Sequence, residues 1–176
     1  MSESTRKHKA EAPSSLRFAI FTCSTSRYQQ ARKGEKVEDV SGDLIETLLK
    51  RAGHLVILRK LIPDDSVLIR ESVEQTLAST NLDSAIFCGG TGIAPTDVTI
   101  ETVQPILEKV LPGFGEFFRQ MSFDEIGSAA LLSRAVGGVA KGKALFCIPG
   151  SPDAARLFVE KLILPEAPHI VKHARE

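Results

Sequence analysis

Residues 84–99, SAIFCGGTGIAPTDVT, start as an unbroken apolar run, turn through glycines at 89, 90 and 92, and end on a polar segment carrying Asp97. A short apolar run bounded by glycine fits a strand covered on both faces, as in a parallel sheet. Two readings of the glycines are open. They make a tight turn, or they let the backbone approach a phosphate and aim its N–H groups inward. The loop is not a Walker A sequence, because no Gly-Lys-Ser/Thr follows, and it lacks the spacing of a dinucleotide fingerprint.

The same strand signature recurs on both sides. LRFAIFTC (16–23) runs into the polar STSR, and HLVILRKLI (54–62) ends at PDD. The stretch AVGGVAKGKALFCI (135–148) reads as two short strands about a Lys-Gly turn, the second leading into PGSP. Between the strands lie helical spacings. Leu44, Ile45, Leu48, Leu49 and Ala52 follow a start at Ser41 and precede a stop at Gly53. Ile69, Val73 and Leu77 follow a cap at Asp65 or Ser66. A helix from about Asp97 is expected to kink at Pro105, and GFGEFFRQMSFDEIG (113–127) to form a short helix and a turn. Ser151 and Pro152 suit the cap and first position of a last helix. Residues 28–40 are too polar for a core and are expected to be a mobile loop. Residues 1–15 are expected to be a flexible N-terminal tail ahead of one domain at 16–176. Alternating buried strands and amphipathic helices define the fold class as α/β, a single three-layer α/β/α domain on a mainly parallel sheet.

Composition narrows the function. The 176 residues suit one core, and 22 basic residues balance 22 acidic ones. A chain without charge excess has no global field for nucleic acid, so an anionic ligand must be held locally. No apolar run approaches the roughly 20 residues needed to span a bilayer. Cys23, Cys88 and Cys147 each end an apolar run and form no even set, which fits buried thiols in a reducing, cytoplasmic setting.

Ligands of open α/β sheets bind beyond the carboxyl ends of the strands. Those ends carry Ser24, Thr25, Ser26 and Arg27; Asp64 and Asp65; the glycine loop with Asp97; and Gly150 with Ser151. If these segments share one rim, it combines backbone N–H groups, hydroxyls, an arginine and carboxylates. That mixture suits a nucleotide with Mg²⁺, which takes one or two carboxylates plus phosphate oxygens. Asp64 and Asp97 have a plainer reading as helix caps. His169 and His173 have the i, i+4 spacing of a metal pair, but no third ligand is evident and surface histidines are the simpler reading. Arg27, Arg32, Lys33 and Lys36 are interleaved with acids and read as a solvated loop. Phe114, Phe117 and Phe118 read as packing or a subunit contact.

The motif GGTGIAPTDVT resembles the signature of the MogA/MoaB family of molybdenum-cofactor biosynthesis proteins, and flanking segments agree. These are DVSGDLI (39–45), LIPDD (61–65), PGFGEFFRQMSFDEIG (112–127), LLSRAVGG (131–138) and IPGSPDAARL (148–157), with GFGEFFRQMSF and SRAVGGVA leaning to the MoaB branch. The resemblance implies an α/β/α domain assembled as a homotrimer or a dimer of trimers. It implies ATP- and Mg²⁺-dependent adenylylation of molybdopterin, in which AMP joins the terminal phosphate and pyrophosphate leaves. Asp64 and Asp97 are then the catalytic, metal-holding acids. Gly89, Gly90, Thr91 and Gly92 cradle phosphate, and Gly150 and Ser151 touch the nucleotide. Ser24, Ser26, Arg27, Ser41 and Arg134 are candidates for the pterin side. A non-catalytic molybdopterin-binding assembly subunit and a nucleotide pyrophosphatase on a similar fold are the alternatives. A molybdenum-insertion enzyme is the partner the pathway implies.

Overall fold

Residues 12–176 are described by a computed structural model. Six strands, β1 (Arg17–Cys23), β2 (Leu55–Ile62), β3 (Ser84–Cys88), β4 (Lys109–Val110), β5 (Val136–Ala140) and β6 (Lys143–Ile148), form one sheet in the order β2-β1-β3-β6-β5-β4. Strands β2, β1, β3 and β6 are parallel, while β5 runs antiparallel to β6 and β4 to β5. The central strands β3 and β6 are buried along their whole length, which is why their sequences carry no polar alternation.

Successive side chains of a strand point to opposite faces, so each central strand feeds two cores. Phe18, Ile20, Ile86 and Phe146 pack against α2 (Val40–Arg51), α5 (Pro112–Ile126) and the C-terminal helices α6 (Pro152–Phe158) and α7 (Leu164–Ala174). A π-helical turn at Val159–Ile163 joins α6 to α7. Ala19, Phe21, Phe87 and Leu145 pack against α3 (Ser66–Ala78) and α4 (Thr99–Val103). The three layers expected from the alternation are therefore present. Phe118 stacks on Phe158 at 3.9 Å between ring centroids, whereas Phe117 is exposed. The aromatic triplet thus divides between core and surface.

Several local expectations need correction. Thr25–Arg32 is a helix, α1, and not part of a mobile loop. It buries no residue, so it lacks the apolar stripe by which helices are recognised. Helix α2 starts at Val40 rather than Ser41, because the Asp39 carboxylate accepts the Gly42 N–H as its cap. The helix expected from Asp97 begins only at Thr99. It gives way to a 3₁₀ turn at Gln104–Ile106, where Pro105 lacks the N–H that would continue it, and then to β4. The segment at 112–126 is one helix of 15 residues. Caps at Asp65 and Ser151 and the Lys141–Gly142 hairpin turn are as expected.

The N-terminal tail falls mostly outside the described residues. Ser15, at its end, donates to the Gly53 carbonyl at 2.7 Å. Beside it, the Leu16 N–H donates to His54 Nδ1 at 3.1 Å, which fixes the neutral ring with its proton on Nε2. His54 is buried, and that burial lowers its pKa. A folded-state pKa below the unfolded value makes the stabilisation complete above the unfolded value and lost as pH falls through the lowered one. Denaturant midpoints are therefore expected to drop between pH 7 and pH 5, and to drop less in His54→Asn. Equal pH slopes in the two proteins would contradict this.

Candidate active site

The carboxyl ends of β1, β3 and β6 open into one cleft of about 470 Å³. Its wall holds Ser24, Ser26 and Arg27 after β1, Gly89, Gly90, Thr91, Gly92 and Asp97 after β3, and Gly150 after β6. Arg134 closes it from the segment after α5. Three of the four segments expected on one rim, those after β1, β3 and β6, thus meet in the wall, while the segment after β2 does not reach it.

The glycine loop is held by contacts that require glycine. Gly89 has φ +110° and Gly90 φ +62°. A Cβ at Gly89 would collide with the Cys23 carbonyl oxygen, and one at Gly90 would lie 2.5 Å from Asp64 Oδ1 and against Thr99 Oγ1. The loop therefore lies directly over Asp64. Asp97 sits at the other end, where a Cβ on Gly92 would lie 2.6 Å from its Oδ2. That oxygen accepts the Ala94 N–H at 2.8 Å.

Asp64 belongs to a layer beneath the cleft and is not part of its wall. Its Oδ2 accepts both the backbone N–H and the hydroxyl of Thr25, each at 2.9 Å, while Thr25 Oγ1 accepts the Asp64 N–H at 3.0 Å. Its Oδ1 is buried without a hydrogen-bond partner, as is Thr99 Oγ1 beside it. A buried carboxylate oxygen left unpaired costs several kcal/mol, roughly, so a water, a cation or a ligand donor is needed to satisfy it. Among the described residues no group of three or more His, Cys, Asp or Glu is arranged for a metal. An ion here would be held by Asp64 or Asp97 together with substrate oxygens, the donor set Mg²⁺ favours.

The remaining candidates have other duties. Ser41 is buried and donates to the Gly150 carbonyl at 2.8 Å, so it shapes the loop after β6 from behind. Ser151 caps α6, accepting the Ala154 N–H at 3.4 Å, and lies outside the cleft wall. Arg134 donates to the Thr91 carbonyl at 3.1 Å and to Glu101 at 2.5 Å, which ties the glycine loop to α4. Cys23 and Cys88 line the cleft, but burial pushes both thiols up, Cys23 to about 12, so neither supplies a thiolate at neutral pH. Sequence reading missed Thr25 and Thr99 as the hydroxyls around Asp64. Thr25, directly behind β1, carried the only positional signal.

The sheet order and the glycine loop over a buried carboxylate define the chain as an α/β protein with a polar cleft at the carboxyl edge of its sheet. The family described as "Probable molybdopterin binding domain" matches residues 19–169, and the chain belongs to that family. It is 40% identical over 174 residues to molybdenum cofactor biosynthesis protein B of Bacillus subtilis, covering 98% of each chain. It is also 40% identical to a probable molybdopterin adenylyltransferase of Methanocaldococcus jannaschii, covering 92% of this chain and 95% of that one. A crystal structure of a molybdenum cofactor biosynthesis protein B superposes with a TM-score of 0.84 at 42% identity, over 94% of this chain and 99% of that one.

Proposed function

We propose that the chain is a molybdopterin adenylyltransferase, transferring AMP from ATP to the terminal phosphate of molybdopterin. The observation that carries the proposal is the buried, unpaired Asp64 Oδ1 beneath a glycine loop whose far end holds Asp97. That is an anion cradle with a cation position built into it. The adenylyltransferase name of the Methanocaldococcus relative supports the same chemistry.

In the reaction a molybdopterin phosphate oxygen forms a bond to the α-phosphorus of ATP. The bond from that phosphorus to the bridging oxygen breaks, and pyrophosphate leaves with the electron pair. No protein nucleophile is required, so positioning and charge neutralisation carry the catalysis. Asp64 or Asp97, together with phosphate oxygens, would hold Mg²⁺, which would neutralise charge developing on the leaving pyrophosphate. Gly90, Thr91 and Gly92 direct backbone N–H groups at phosphate, Gly89 fixes the start of the loop by donating its N–H to the Ile148 carbonyl at 3.0 Å, and Gly150 borders the nucleotide. Arg27, Ser24 and Ser26 receive the pterin phosphate. Arg134 holds the loop in shape through the Thr91 carbonyl.

The enzyme works in the cytoplasm, as three free, buried cysteines favour, and hands its product to a molybdenum-insertion enzyme. No described helix is long and apolar enough to cross a membrane. A homotrimer or dimer of trimers is the proposed assembly. Exposed Phe117, Phe123, Ile126 and Leu131 supply apolar surface for it.

Incubating the full chain with ATP, MgCl₂ and molybdopterin is expected to release pyrophosphate and yield adenylylated molybdopterin by mass spectrometry, and to do neither without the pterin. Tight pterin binding without product would replace the proposal with an assembly subunit. Pyrophosphate release with water alone as acceptor would replace it with a pyrophosphatase.

A further inference from the structure

The last helix, remote in sequence from the glycine loop, carries a second constellation of ligating groups. His169 and His173 lie one turn apart on α7, and their Nε2 atoms face each other at 2.8 Å. The opposite nitrogens are backed by carboxylates: His173 Nδ1 lies 2.7 Å from Glu176 Oε2, and His169 Nδ1 lies 3.5 Å from Glu166 Oε2. A carboxylate at Nδ1 favours the tautomer that carries its proton there and its lone pair on Nε2. In the structure one ring can donate Nε2–H to the other; with the proton on Nδ1 in both, the two Nε2 lone pairs converge on one point, where a cation can be shared.

A carboxylate behind each imidazole is the support that metal-ligating histidines ordinarily have, because it orients the ring and raises its basicity. Two imidazole nitrogens on one tetrahedral ion stand about 3.3 Å apart, so the observed pair needs to open by only about half an ångström. The side chains are 23% and 43% exposed, enough for an ion to enter. Lys172 neighbours Glu176 at 3.8 Å, and Glu108 and Lys109 share the adjoining hollow. No third His, Cys, Asp or Glu completes a set among the described residues.

We propose that His169 and His173 bind one first-row divalent transition-metal ion through their Nε2 atoms, clamping the C-terminal helix. The site is separate from the cleft and does not depend on its function. Imidazole ligation selects against Mg²⁺ and ranks copper above zinc.

The test titrates CuSO₄ and ZnCl₂ into the metal-stripped, untagged full chain by calorimetry, with MgCl₂ in excess. One equivalent of either ion is expected to bind, copper more tightly, with an increase in melting temperature. His169→Ala and His173→Ala should each weaken binding at least about tenfold and abolish the thermal shift. Glu176→Gln should weaken it by about tenfold through the oriented ring. Copper electron paramagnetic resonance of the wild type should show two imidazole nitrogens, a readout independent of how the variants fold. Binding that neither substitution affects, a spectrum without imidazole nitrogens, or no binding below about 100 μM would overturn the proposal. In the last case a shared proton alone bridges the rings.

Discussion

Asp97→Asn is expected to lower molybdopterin-dependent pyrophosphate release by about 100-fold or more, while the melting temperature moves by only a few degrees. The asparagine keeps an oxygen to accept the Ala94 N–H, so the loop geometry survives. What it loses is the negative charge, and a preorganised charge at a phosphoryl centre is worth about 3 kcal/mol or more of transition-state stabilisation. Asp64→Asn sharpens the test. Its amide oxygen can still accept both hydrogen bonds from Thr25, and no unpaired carboxylate oxygen remains under the loop. The fold should therefore be as stable as the wild type or more so, while turnover falls comparably. Stability gained where activity is lost marks a site kept for chemistry and not for packing. Steady-state pyrophosphate release beside differential scanning calorimetry measures both. Turnover within tenfold of wild type in Asp97→Asn would remove that residue from the catalytic role.

How far these arguments were legible in the sequence depends on which force placed each residue. The strands at 17–23, 84–88 and 143–148 follow from near-continuous apolar runs, which a strand buried on both faces favours. Their shared carboxyl edge then follows from parallel topology alone. Helix α1 was illegible because periodicity reports burial, and α1 buries nothing. The glycines in GFG are weak helix formers, yet Gly115 lies buried in α5, where a Cβ would come within 2.9 Å of the Ala135 carbonyl oxygen. Close packing outweighed propensity there.

The site shows the same division. Asp97 lies on the loop that the glycines announce, so sequence order places it in the cleft. The depth of Asp64 is a tertiary fact, set by Thr25 from a different strand end and by Gly90 lying across it. Spacing could nominate both acids for the rim. It could not distinguish the one that faces the cleft from the one held beneath it.

Asp83→Ala is expected to destabilise the fold by about 3 kcal/mol, lowering the melting temperature by roughly 10 °C. Asp83 is 4% exposed and sits immediately before β3. Its carboxylate accepts the Arg17 N–H at 2.8 Å, Arg17 Nε at 2.9 Å and Nη2 at 3.0 Å, and Arg175 Nη2 at 2.6 Å. One side chain thus joins the start of β1 to the end of the chain. Burial by itself would raise its pKa. The hydrogen bonds from Arg17 and Arg175 outweigh that and hold the carboxyl well below the usual carboxylate range. The stabilisation is therefore complete above the ordinary carboxylate pKa and is lost only as pH falls far beneath it. Removing a buried ion-pair partner costs about 3–5 kcal/mol when the other charge is stranded. Both arginines here are more than a third exposed and can rehydrate, which places the loss at the lower end. Asp83→Asn keeps one acceptor oxygen and should lose about half as much. The cleft lies at the opposite ends of the strands, so turnover per folded molecule should hold at 25 °C. A melting temperature within about 3 °C of wild type in Asp83→Ala would mean that strand packing alone fixes this end of the sheet.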